Sequence, residues 1–180
     1  MPSEHNSMKA TYEVRPEGTA AIFNELALNH KQSASYYREM GEKLKAKSDN
    51  DGAADFFIQL ATYREKLATE INNHLSGMAG TVHTPSHDSL SYFKEHEADL
   101  NRALINGNVV ELAMYTYHNE EKTSDTYRHA LADDKIDDTA EQMLHDQHEQ
   151  VLKYLRMADR YKTVPQDANE EMRRDNPLNE

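Results

Sequence analysis

The chain has no cysteine, so disulfides, thiolate metal sites and cysteine nucleophiles are excluded. Proline and glycine are scarce, with 5 and 6 in 180 residues, and they gather at what read as breaks and tails. Strand patterns are nearly absent. No stretch approaches the roughly 20 apolar residues of a membrane span. Met1 to Gly18 holds no apolar core of the kind a signal peptide needs. The cytoplasm is therefore the expected location. Basic residues are also in deficit, with 20 against 32 acidic ones and a formal net charge of -12. Such a surface repels phosphate backbones and anionic lipid, so neither nucleic acid nor membrane is an expected partner. Glycine-rich phosphate loops, nucleophile elbows and P-loops are missing as well.

What is present is a series of amphipathic helical stripes. A length of 180 residues suits one domain. The expected division is a flexible tail over 1–18, a helical bundle over 19–162 and a second flexible tail over 163–180. Apolar residues at steps of three and four predict a first helix from about Thr19 to Lys47, with Ile22, Leu26, His30, Ser33, Tyr37, Met40 and Leu44 on one stripe. The polar run Ser48–Gly52 reads as a turn. A second helix follows to about Leu75 with the stripe Phe57, Leu60, Arg64, Leu67, Ile71, His74, and Gly77 is placed to end it. A loop over Met78–His87 leads to a shorter helix, Ser89–Ile105, stopped by Gly107. Asn108 with Glu111 forms a capping box for a helix to about Ala132, read with the stripe Val110, Met114, Tyr117, Glu121, Ser124, Arg128, Leu131. Asp138 with Glu141 repeats the capping pattern before a last helix to about Tyr161, with Leu144, His148, Val151, Leu155 and Ala158 inward. Two hairpins of long helices joined by a crossover with its own short helix predict an all-α, ferritin-like four-helix bundle.

Polar residues interrupt the inner stripes. With 1.5 Å of rise per residue, His30 falls opposite Glu70, and Glu121 opposite His148 and Glu149. If the middle two long helices run parallel, His30 and His148 both lie roughly 15 Å from one end. All four helices then offer a group to one layer: His30, Glu70, Glu121 and His148, with His74 and His145 within a turn. Glu70 and His74 are i,i+4, as are Glu141 and His145, and His145 and His148 are i,i+3. Imidazole and carboxylate together suit zinc, manganese or iron, so these six residues are the candidate metal ligands. The simpler reading is a polar layer with no metal. Tyr36, Tyr37, Tyr63, Tyr117, Tyr127 and Tyr154 read as core or interface aromatics. Glu95-His96-Glu97 reads as a solvated face.

Three stretches resemble the ferritin-like superfamily, and more narrowly its bacterial four-helix-bundle members of this size. They are FNELALNHKQSASYYREM, SLSYFKEHEADLNRALINGNVVELAMYTYHNEEKTSDTYRHALADD and DTAEQMLHDQHEQVLKYLRMADRY. With the second helix, the likeness spans about Thr19 to Tyr161. Di-iron members of that superfamily carry Glu-x-x-His on two helices, and this chain has no Glu-x-x-His. Glu65 is followed at that spacing by Ala68, Glu70 by Asn73 and Glu141 by Leu144. The resemblance makes Glu121, or its neighbour Glu120, the best match to a metal glutamate. It implies either a non-enzymatic bundle acting by association, in a stress response for example, or an iron- or manganese-dependent oxidase or iron-handling protein with a divergent site. A third expectation, a carrier with a cavity among the tyrosines, has no residue that selects a ligand. A homo-oligomer, a dimer through an exposed apolar helix face, is the expected assembly.

Overall fold

The computed structural model describes residues 16–47, 51–77, 91–133 and 136–162. These residues form helices only: α1 (Pro16–Lys45), α2 (Asp51–Ser76), α3 (Tyr92–Glu95), α4 (Glu97–Asn106), α5 (Val109–Leu131) and α6 (Asp138–Tyr161). Residues 1–15 and 163–180 of the expected tails, residues 48–50 of the expected turn and the loop over 78–87 lie outside them; Asp51 and Gly52, read as turn, begin α2. Pro16 to Gly18, read as tail, belong to α1. Proline suits that first helical position, where its missing N–H would have no intrahelical partner.

The ends follow from local chemistry. Gly107 closes α4 at φ 63°, ψ 29°, a left-handed geometry that glycine adopts without strain. Asn108 caps α5 as expected, its Oδ1 accepting from the Glu111 N–H (3.1 Å), but the reciprocal half of a capping box differs: Glu111 Oε2 accepts from Asn108 Nδ2 (3.1 Å), while the Asn108 backbone N–H donates to the Ala103 carbonyl oxygen. At α6 the cap sits one residue earlier than expected. Asp137, not Asp138, accepts from the Ala140 N–H at 2.8 Å. The helix expected over 89–105 is two pieces with a break at His96 (φ −118°, ψ 26°).

The long helices pack around two apolar clusters. One gathers Tyr37, Met40 and Leu44 of α1 with Phe57 and Leu60 of α2, Leu112 of α5 and Met157 of α6. The other gathers Phe23 and Leu26, Leu67 and Ile71, Tyr127, and Leu144 and Val151. Hence α2 and α5 run parallel, and α1 and α6 run opposite to them. Each hairpin is antiparallel, and the connection from α2 to α5 returns the chain along the bundle. Gln32 and Asn119 hold its described part, accepting from the backbone N–H groups of Ser91 (2.9 Å) and Tyr92 (3.1 Å). Phe93 is fully buried against Tyr37. Where α1 crosses α2, Gly41 allows near contact: a Cβ there would lie 2.5 Å from Ile58 Cγ1 and 2.9 Å from the Ala54 carbonyl oxygen.

Buried positions on α1 and α2 match the expected stripes except at one residue of each, Ile22 and His74, which are half-buried. On α5 they do not. Leu112, Ala113, Tyr115, Thr116, Asn119, Glu120, Thr123, Ser124, Tyr127 and Ala130 face inward, while Met114, Glu121 and Arg128 are exposed. The inner face of α5 carries so many polar groups that hydrophobicity favoured the wrong stripe, one residue out of phase. Among the described residues, no helix is long and apolar enough to cross a membrane.

Candidate functional site: a buried polar layer centred on Arg64

Between the two apolar clusters lies a polar layer. Its centre is Arg64 of α2, whose side chain is wholly buried. The helical stripe 57-60-64-67-71 leaves it no outward path. A buried guanidinium must be matched by acceptors, because desolvating an unpaired charge is prohibitive. Nη2 donates to Glu120 Oε2 of α5 at 2.6 Å and to Thr123 Oγ1 at 3.3 Å. Nη1 donates to His30 Nδ1 of α1 at 2.6 Å. Nε is buried without a hydrogen-bond partner. The other oxygen of Glu120 accepts from the Tyr37 hydroxyl. That hydroxyl accepts in turn from Asn119 Nδ2 (3.3 Å), which also donates to Ser33 Oγ (3.1 Å).

These contacts set the direction of a longer chain. A guanidinium has donors only, so His30 Nδ1 must accept and the ring proton must sit on Nε2. Nε2–H then donates to the Tyr127 hydroxyl at 2.6 Å. Tyr127 donates to Gln147 Oε1 of α6 (2.7 Å), and Gln147 Nε2 donates to Glu70 Oε2 of α2 (2.9 Å). All four long helices are joined in one polarised line running from a buried cation to a surface carboxylate. It ends at an open groove of about 820 Å³ between α2 and α6, lined by Leu67, Glu70, Met143, Asp146 and Gln147 among others.

The electrostatics follow from burial. Desolvation, reinforced by the Arg64 charge, holds His30 well below the usual histidine range, so the ring is neutral. Burial, and for Tyr37 the neighbouring Glu120 carboxylate, pushes the Tyr37 and Tyr127 hydroxyls well above the usual tyrosine range. Burial alone would lower Arg64, but Glu120, joined by Tyr37 and Tyr127, outweighs it, and the guanidinium is held charged more firmly than in water.

The six expected metal ligands are placed as follows. His30 is in the layer with both ring nitrogens engaged. Glu70 is at the exposed end of the chain, with Lys66 Nζ at 3.8 Å. His148 accepts or donates one bond at Ser124 Oγ (2.8 Å) and stacks on Tyr127 (8° between planes). Burial, with Arg128 and His145 adding to it, lowers His148. His74 lies edge-on to Phe23 and 3.7 Å from Asp137. His145 is exposed beside Glu141, and Glu121 is exposed beside His118. By hydrogen bonds the structure therefore links His30 and Glu70, through Tyr127 and Gln147, with His148 stacked on the same Tyr127 ring. Glu120 takes the inward place read for Glu121. Among the described residues, no three histidine or carboxylate side chains gather where they could hold a metal ion.

The donor set of the layer does not fit a metal. His30 Nδ1 and Glu120 Oε2 both point at the centre, and Arg64 stands 2.6 Å from each. A divalent ion beside that fixed guanidinium would place like charges together against one carboxylate. Arg64 is the residue that reading by sequence passed over, although it stood on the α2 stripe. A long basic side chain at a core position, matched by a carboxylate elsewhere, was the available signal. Of the six tyrosines read as core or interface aromatics, Tyr37, Tyr127 and Tyr154 are buried, and Tyr36, Tyr63 and Tyr117 are half-buried.

No family model, curated protein or solved structure matches the chain.

Proposed function

We propose that this chain is a ferritin-like four-helix bundle that performs no chemistry of its own: a cytoplasmic association module whose central layer is structural. The order of helices supports the fold reading. Two antiparallel hairpins, parallel α2 and α5, and a long connection carrying short helices are the features of that topology. The observation that carries the functional reading is Arg64. It spans His30 and Glu120 in the middle of the bundle, where a metal-dependent member would gather its ligands. The oxidase or iron-handling alternative needs those two donors free.

The test is elemental mass spectrometry of protein purified from metal-supplemented culture without chelator, beside its His148→Ala variant. Less than stoichiometric iron, manganese and zinc in both samples is expected. Near-stoichiometric metal that drops in the variant would return the chain to the oxidase class. Self-association is the second element of the proposal. Ile105 (74 % exposed) and Met114 (38 %) are large apolar side chains left in solvent. Light scattering on a sizing column should give a dimer, and a monomer at every concentration would end this element.

A further inference from the structure

The centre of the layer has the makings of a cation site whose cation is part of the chain. Two acceptors from different helices, His30 Nδ1 and Glu120 Oε2, lie 2.6 Å from separate nitrogens of one guanidinium, and Thr123 Oγ1 adds a third contact at 3.3 Å. Both acceptors are themselves fixed from behind: His30 by Tyr127 at 2.6 Å, Glu120 by Tyr37. Arg64, His30, Tyr37 and Glu120 are all wholly buried. An ammonium is a point charge on a flexible stem. It does not reproduce two parallel donors aimed at two separated acceptors, as a planar guanidinium does.

We propose that Arg64 is a resident cation, and that the pocket formed by His30, Glu120 and Thr123 is a monovalent guanidinium site kept closed by the chain's own side chain. Charge fixes the class. One positive group faces one carboxylate and a neutral imidazole, so a monovalent cation balances the site. A divalent metal in the same place would leave an excess charge in the core. A fork of N–H donors selects guanidinium over sodium or ammonium ions, and its charge selects it over urea, which has a similar shape. Removing the Arg64 side chain should therefore leave a cavity that accepts free guanidinium from solution. The inference rests on the reading of the layer as structural; a metal bound at another place would overturn the non-enzymatic reading of the chain and leave the layer, and this inference, unchanged.

The experiment is thermal unfolding of the full-length Arg64→Ala variant, followed by circular dichroism, with low-millimolar guanidinium chloride, sodium chloride or urea. Guanidinium should raise Tm saturably by about 2–4 °C, with no saturable rise from the other two. Equal behaviour of guanidinium and sodium chloride would overturn the proposal. If Arg64→Ala does not fold alone, low-millimolar guanidinium should restore its helical circular dichroism where sodium chloride and urea do not; a variant that guanidinium fails to restore overturns the proposal too. In the native protein, zinc titration followed by the His30 ring resonances should leave them unmoved. A saturable zinc-dependent shift of His30 would show that the centre is open to metal, against the proposal.

Discussion

Arg64 Nη1 donates to His30 Nδ1 across 2.6 Å inside the bundle. A cation thus sets the tautomer of a neutral imidazole, and through it the direction of every hydrogen bond from His30 to Glu70. Nitrogen-resolved NMR should find His30 unprotonated at Nδ1 and protonated at Nε2 at neutral pH, with a slowly exchanging Nε2–H. Protonation of both nitrogens at pH 7 would contradict the network.

The same contact sets a dependence on pH. His30 is held well below its ordinary value of about 6.5 by burial and then by Arg64. Below that value the unfolded chain binds a proton that the folded chain refuses, so stability is complete above about pH 6.5 and falls as pH drops toward the folded pKa. The slope from this group approaches about 1.4 kcal/mol per pH unit. His148, lowered mainly by its partial burial, adds in the same direction. Urea unfolding at pH 7 and pH 5.5 should show the loss. A His30→Gln variant should show a shallower slope, and an unchanged slope would assign the effect to other groups.

The phase of α5 is testable with neighbouring glutamates. Glu120→Ala leaves Arg64 as an unmatched buried charge, at a cost of about 3–5 kcal/mol. Glu121→Ala removes an exposed side chain beside His118 and should stay within about 0.5 kcal/mol of the parent. Equal effects in denaturant titrations would refute the inward placement of Glu120.

Gly41→Ala should destabilise despite alanine's better helix propensity. The gain of up to about 1 kcal/mol is opposed by a Cβ 2.9 Å from the Ala54 carbonyl oxygen and 2.5 Å from Ile58 Cγ1. Overpacking of this kind costs about 1–3 kcal/mol. A Gly41→Ala/Ile58→Val pair should recover part of the loss, and a single variant more stable than the parent would show that the helices separate freely.

Removing the α6 cap by Asp137→Ala should cost about 1 kcal/mol, whereas Asp138→Ala should cost less. The two compared in one thermal series locate the cap.

Much of the architecture was legible in the sequence because long amphipathic helices announce themselves by spacing. The stripes of α1 and α2, Gly107 as a stop and Asn108 as a cap all follow from local rules that tertiary contacts do not override. The interior polar groups were legible only in part. His30 stood on a clear stripe and is buried. Glu121 was taken for Glu120 because Val110, Met114 and Tyr117 form the more hydrophobic row, although the polar row of α5 is the one that meets Arg64. Gln147 and Thr123 are neutral, common on helix surfaces, and become noticeable only when Tyr127 and Arg64 are seen to need acceptors. Arg64 itself resisted reading because a basic side chain is read as a surface group unless its acceptors are known, and those come from helices 34 and 56 residues away in sequence.

The polar layer separates the apolar interior into two compartments, one around Phe57 and Leu112, the other around Phe23 and Leu144. Packing strain is passed on by contact between apolar side chains, and here a belt of hydrogen bonds narrows that contact, with Tyr63 packed against both clusters. A volume error made on one side should thus be absorbed on that side, so paired core substitutions across the belt should add, while pairs within a compartment should couple. For drift over generations the bundle behaves as two small interiors that share a hub: each half exchanges its aliphatic residues largely on its own schedule, while the hub, with the close α1–α2 contact at Gly41, keeps the helices in register.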